Sequence, residues 1–210
     1  MSRSWTDPAP TCRKCPRLVK FRRDNQKTYP NFHNAPVMTW GAVDAPLLIV
    51  GLAPGLKGAN RTGRPFTGDA SGDLLFDCLT RAGLAKERAA QIILNGCAIT
   101  NAVACLPPQN RPTGAEASNC RPFLSAKLKS PRTVLALGKL AHDSVLRALG
   151  VKIIDHPFAH AAISEIDAIT LVSSYHPSRY NVSTKRINAA MLDAALVKCL
   201  VANELRSNQR

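Results

Sequence analysis

Apolar positions along the chain fall into runs of two kinds. PLLIVGL (46–52) is apolar without a break and ends in glycine, the pattern of a strand buried on both faces. SGDLLFDCLTRAG (71–83) instead spaces its apolar residues at Leu74, Leu75, Cys78, Leu79 and Ala82, which is helical, with Gly83 as a stop. CAITNAVAC (97–105) is a second strand candidate, and it runs into LPPQNRP, which continues neither a strand nor a helix. The same reading predicts a helix over 117–129, a strand over 132–138 and a helix over 139–150. A strand over 168–178 then runs out into a loop, and a long helix over 183–206 ends the pattern. Residues 1–40, rich in Pro, Arg and Asn, read as irregular, and no internal repeat or low-complexity segment is visible.

Strands that alternate with helices predict an α/β fold, a mostly parallel sheet covered on both faces, within one domain over 1–210. In such folds ligands bind beyond the carboxyl ends of the strands. GLAPG, TNAVACLPP and SYHPSRYN all sit at strand ends, so the chemistry is expected there. The loop from Gly51 to Asp69 is unusual: Gly51, Gly55, Gly58, Gly63 and Gly68 lie in it with Arg61 and Arg64. Glycines let backbone approach a ligand closely and allow positive φ. The start of the helix that follows is a candidate anion site.

Charge narrows the class of partner. Lys and Arg number 28 against 14 Asp and Glu, a formal net charge of +14, which favours polyanions and nucleic acid above all. The polar, proline-broken start has no signal-peptide core, and no apolar run approaches the ~20 residues of a membrane span. The expectation is a cytoplasmic, nucleoid-associated protein with no membrane partner. Seven cysteines in that compartment are poor candidates for a disulfide framework. Cys12 and Cys15 form C-x2-C, and Cys105 and Cys120 form C-x14-C across a proline-rich loop. Four thiolates from two loops suit a tetrahedral zinc or an iron–sulfur cluster, and spacing does not choose between them. Cys78, Cys97 and Cys199 read as core thiols.

GLAPGLKGANRTGRPFTGD, ITNAVACLPPQNRPT and SSYHPSRYN, in that order and with the two cysteine pairs, resemble the type 5 iron–sulfur branch of the uracil-DNA glycosylase superfamily. The resemblance covers about residues 10–200. It implies an α/β/α sandwich, and a [4Fe–4S] cluster on Cys12, Cys15, Cys105 and Cys120, with an N-terminal cluster-binding segment near 10–40. It also implies a monomer whose partner is DNA, from which it removes uracil and related deaminated bases, hypoxanthine among them. The branch's first motif often reads GLAPA followed by a histidine, where this chain has Gly55 and Lys57, a departure expected to bear on base range. The other reading is a non-enzymatic DNA-binding protein with a redox-sensing cluster.

A glycosylase takes its nucleotide out of the stack, and the resemblance distributes the work. Gly51, Ala53, Pro54 and Gly55 form the loop against the base, and Phe66 is its stacking platform. Asn101 offers both a donor and an acceptor to the Watson–Crick edge. His176 stabilises charge on the departing base. Ser178 and Arg179 press on the DNA, with Arg61, Arg64, Arg111 and Lys185 as further backbone contacts. Ala53 stands where other branches carry a carboxylate or amide that activates water. That leaves Asp69 as the carboxylate to hold water or to stabilise the cationic sugar, with Asp73 as the alternative.

Overall fold

The computed structural model describes residues 4–89 and 91–207. Among the described residues, helices α1 (Pro16–Thr28), α2 (Ala59–Thr62), α3 (Ala70–Arg81), α4 (Gly114–Lys127), α5 (Lys139–Leu149), α6 (Arg179–Ser183) and α7 (Ala189–Ser207) accompany eight strands. These are β1 (Trp40–Gly41), β2 (Leu47–Gly51), β3 (Ala85–Arg88), β4 (Gln91–Leu94), β5 (Cys97–Asn101), β6 (Thr133–Leu137), β7 (Ile163–Ile166) and β8 (Ile169–Ser174). Six form one sheet in the order β1-β5-β2-β6-β8-β7, and β3 and β4 pair as a separate hairpin. The inner strands β5, β2, β6 and β8 are mutually parallel. Only the edges β1 and β7 run antiparallel.

The unbroken apolar runs are explained by what covers the sheet. Leu47 and Ile49 face a core shared with Leu75 and Leu79 of α3 and Leu192 and Leu196 of α7. Leu48 and Val50, one residue out of step, face a second core with Leu124 of α4 and Val145 and Leu146 of α5. Because strand side chains alternate in direction, these two cores lie on opposite faces, and the molecule is a three-layer α/β/α sandwich. Parallel register brings Gly51 level with Asn101 and Leu137 level with Ser174, so the carboxyl ends of four strands form one rim.

Several elements depart from the sequence expectation. Residues 1–40 are not all irregular, since α1 starts on an extended Cys15 with Pro16 in its first turn, where proline's missing N–H costs nothing. The strand expected over 97–105 stops at Asn101. Its chain bends while Ala102 N–H and Val103 N–H still donate to the carbonyls of Gly51 and Leu52. The helix expected from residue 183 starts at Ala189; before it come α6 and a turn in which Lys185 has φ +57°. The strands β1, β3, β4 and β7 were not foreseen. Cys78, Cys97 and Cys199 are fully buried, as expected of core thiols.

Candidate active site

The rim of the sheet opens into a cavity of about 330 Å³. Its lining joins the three motifs: Ala53, Pro54 and Gly55 from the first loop, Phe66 and Asp69 from its far end, Asn101 from the tip of β5, and His176 and Ser178 from the loop after β8. Gly51 has no room for a side chain, since a Cβ there would come within 2.5 Å of Asn101 Oδ1 and 2.6 Å of the Phe66 ring. Its bare backbone thus lets the amide and the ring meet at the pocket floor.

Phe66 is buried and sits at φ +55°, a left-handed conformation uncommon for an aromatic residue. Close packing holds it: the Phe66 carbonyl lies so near Gly72 that any Cβ at 72 would collide with it. Gly72→Ala, which ordinarily gains about 1 kcal/mol inside a helix, is blocked here by sterics. The ring belongs to the sheet core and also faces the pocket, with the His176 ring 5.8 Å away at 31°. Asn101 is buried, and among the described residues its amide has no hydrogen-bond partner, so both its donor and its acceptor are free for a ligand.

His176 is half-buried. Burial pushes its pKa below the ordinary histidine value, more than the nearby Asp69 carboxylate raises it, so the ring is neutral at neutral pH and keeps one N–H to give. Its backbone carbonyl accepts from Asn181 Nδ2 at 2.8 Å. A Cβ at Gly138, φ +95°, would stand 3.2 Å from the His176 Cβ, so glycine there keeps the approach open. Asp69 caps α3: its Oδ1 accepts from Ser71 N–H and Gly72 N–H, both at 3.1 Å. Its Oδ2 points at the first loop, where a Cβ at Gly58 would strike it and one at Gly55 would lie 3.4 Å away. The helix start expected to bind external anions is thus already engaged by Asp69.

Behind the first loop, Cys12, Cys15, Cys105 and Cys120 line one small pocket with Leu18, Val19 and Phe123. Ala53 packs into the same apolar cluster as Cys15, Cys105 and Cys120, so the thiols abut the wall of the cavity at the sheet rim. Burial, and then the neighbouring thiols Cys120, Cys12 and Cys15 despite an opposing Arg22, push Cys105 up to about 12. Burial likewise raises Cys120. Among the described residues no three His, Cys, Asp or Glu side chains draw together as a single metal ion requires. The two cysteine loops are tied by Arg17 of α1, which forks onto Glu116 of α4 with two 2.8 Å bonds.

Residues 38–199 match the family described as the uracil DNA glycosylase superfamily. The chain is 42% identical over 199 residues to a type-5 uracil-DNA glycosylase of Mycobacterium leprae (strain TN), covering 87% of each chain. The protein of the same description from Pyrobaculum aerophilum is 39% identical over 196 residues, 88% of this chain and 86% of that one. That of Thermus thermophilus is 38% identical over 200 residues, 89% and 91%. The chain belongs to the type 5 branch of the uracil-DNA glycosylase superfamily.

Within this glycosylase the foreseen residues meet unevenly at the pocket. Ala53, Pro54, Gly55, Phe66, Asp69, Asn101, His176 and Ser178 line the pocket, whereas Gly51, foreseen there, lies outside the lining and only leaves room for Asn101 and Phe66. Arg179 is exposed at the start of α6, and Ser178 caps that helix, its Oγ accepting from Asn181 N–H at 3.3 Å. Asp73 is exposed and outside the lining, as is Lys57. Arg61 closes its own loop on the carbonyls of Lys57 and Gly68, and Arg64 lies over the Trp40 ring. Sequence reasoning missed Ser71 and Asn110 in the lining. Asn110, at φ +55°, carried one usable signal, since asparagine favours the left-handed region.

Proposed function

We propose that this protein removes uracil from DNA by hydrolysing the N-glycosidic bond, leaving an abasic site, and that other deaminated bases such as hypoxanthine enter the same pocket. The observation that carries the reading is the meeting of a free buried amide, an aromatic face and a neutral histidine in one cavity at the sheet rim. A flipped base stacks on Phe66 and presents its edge to Asn101, whose donor and acceptor match the carbonyl and N–H of uracil. As the bond lengthens, negative charge gathers on the base, and the neutral His176 ring donates its N–H to it. Ala53 brings only a methyl group to the wall and activates no water. The C1′–N bond therefore breaks with its electron pair leaving on the base, Asp69 stabilises the oxocarbenium-like sugar, and water then adds to C1′ while its proton passes to the departed base anion. Asp73, exposed on the first turn of α3, has no such role. Arg179 and the loop around it contact the DNA backbone.

The four thiols surround one small apolar pocket, and the resemblance to the type 5 glycosylases favours an iron–sulfur cluster over a zinc ion there. We therefore assign Cys12, Cys15, Cys105 and Cys120 as ligands of a [4Fe–4S] cluster, which when bound supplies a structural anchor for both loops and one-electron redox chemistry. Purified protein should contain iron and acid-labile sulfide, and one stoichiometric zinc in colourless protein would overturn the assignment.

Single-turnover excision on duplexes carrying uracil or hypoxanthine tests the function. Wild-type protein should release uracil, and His176→Ala should slow release by about 10²–10³, the loss of one donor to a developing anion, with DNA affinity nearly intact. Full activity of His176→Ala on every base would move the catalytic weight to the first loop.

A further inference from the structure

Two rings and a cation converge on Tyr175, the residue that precedes His176. The His160 ring stacks on Tyr175, centroids 5.4 Å apart and planes 11° apart. Phe158 meets the same ring at 5.8 Å and 58°, and the Arg186 guanidinium lies over it at 5.4 Å. His160 holds backbone as well: its Nδ1 accepts from the Tyr175 N–H at 3.4 Å, with Ser174 Oγ also 3.4 Å away. A nitrogen that accepts from an N–H carries no proton, so the ring proton sits on Nε2. On the other side of His176, Asn181 Nδ2 holds its carbonyl at 2.8 Å. Neither His160, Tyr175 nor Arg186 lines the base pocket.

We propose that His160 and Tyr175 are positioning residues for His176, fixing the exit of β8 so that the imidazole meets the departing base at hydrogen-bonding distance. The inference rests on the leaving-group role assigned to His176 above. A donor of this kind delivers its full effect only when its place is set before the reaction. His176 has no side-chain hydrogen bond of its own among the described residues to set it, only the face of Phe66. The backbone on either side must therefore do so, and on the upstream side it is held by the stack on Tyr175 and the bond to its N–H.

Single-turnover rates and DNA affinities of His160→Ala, His160→Asn, Tyr175→Ala, Tyr175→Phe and the His160→Ala/His176→Ala double variant test this. His160→Ala and Tyr175→Ala should each slow uracil release about tenfold or more at unchanged affinity, since small misplacements are costly. Tyr175→Phe keeps the stacked ring and should keep the rate. His160→Asn, whose oxygen can accept the Tyr175 N–H, should recover part of what alanine loses. In the His176→Ala background, His160→Ala should cost nothing further. A full multiplicative loss in the double variant, or a Tyr175→Phe as slow as Tyr175→Ala, would overturn the inference. If His176→Ala is slow while His160→Ala runs at the full rate, positioning alone falls. If His176→Ala is itself silent, the leaving-group reading falls and this inference with it.

Discussion

Asp69 divides its carboxylate between two tasks, and the division can be measured. Oδ1 caps α3 through two backbone N–H groups, while Oδ2 faces the first loop and the pocket. Asparagine caps a helix as well as aspartate does, whereas alanine loses about 1 kcal/mol there. Asp69→Asn should therefore slow excision with little change in the urea midpoint. Asp69→Ala should slow it and also lower stability by about 1 kcal/mol. Asp73→Asn, altering an exposed first-turn residue, should leave the rate unchanged. An Asp69→Asn enzyme at full speed would reduce Asp69 to a cap and leave the sugar cation without a partner.

Between elements, one joint is ionic and hidden. Lys127, in the last turn of α4, pairs with Asp7 at 2.6 Å, both side chains nearly inaccessible (2% and 3%). Asp7 also accepts from Thr39 N–H and Thr39 Oγ1, and Lys127 donates to Thr100 Oγ1. The network thus ties the N-terminal segment to β5 one residue before Asn101. Removing one partner strands a buried charge, so Lys127→Ala should cost about 3–5 kcal/mol in urea unfolding. Lys127→Met with Asp7→Asn should cost clearly less. Nothing in the sequence announces this joint, because Asp7 and Lys127 are 120 residues apart. The same reason hid α1, which buries only Leu18 and Asn25 and so shows no apolar stripe. It hid the hairpin too, whose β3 residues after Ala85 are all exposed. What burial dictates was legible: the runs at 47–51 and 133–137, and the helices that cover them. In the site, Phe66, Asn101 and His176 were legible because each carries its chemistry at a strand end or in a glycine-rich loop. Asn181 and His160 were not, since their roles come from contacts that only the folded chain makes.

Over the whole molecule, three of the five histidines are held neutral, and this gives stability a pH dependence of definite sign. Burial lowers the pKa of His142, His160 and His176 below the ordinary 6.5. His142 shows why most plainly: Nε2–H donates to the His156 carbonyl at 2.9 Å, and Nδ1, 2.7 Å from Ser173 Oγ, is left to accept from that hydroxyl. A second ring proton would turn that acceptor into a donor inside the core. Unfolded, these rings titrate near 6.5, so as pH falls below that value the unfolded chain takes up protons that the folded chain refuses, and stability drops. The contribution is complete above 6.5 and declines with acid until the depressed folded values are reached. Each such histidine adds up to about 1.4 kcal/mol per pH unit to the slope. The lowered carboxylates Asp24 and Glu116 act at lower pH, near and below their ordinary 3.8 and 4.5, so the interval from about pH 5 to 6.5 isolates the histidines. Urea unfolding across that interval should show stability rising with pH, and His142→Gln should make the slope shallower. A flat profile would mean that these rings charge as readily folded as unfolded. In that case the His176 ring would be partly protonated in mild acid, and excision there would draw on a charged rather than a neutral donor.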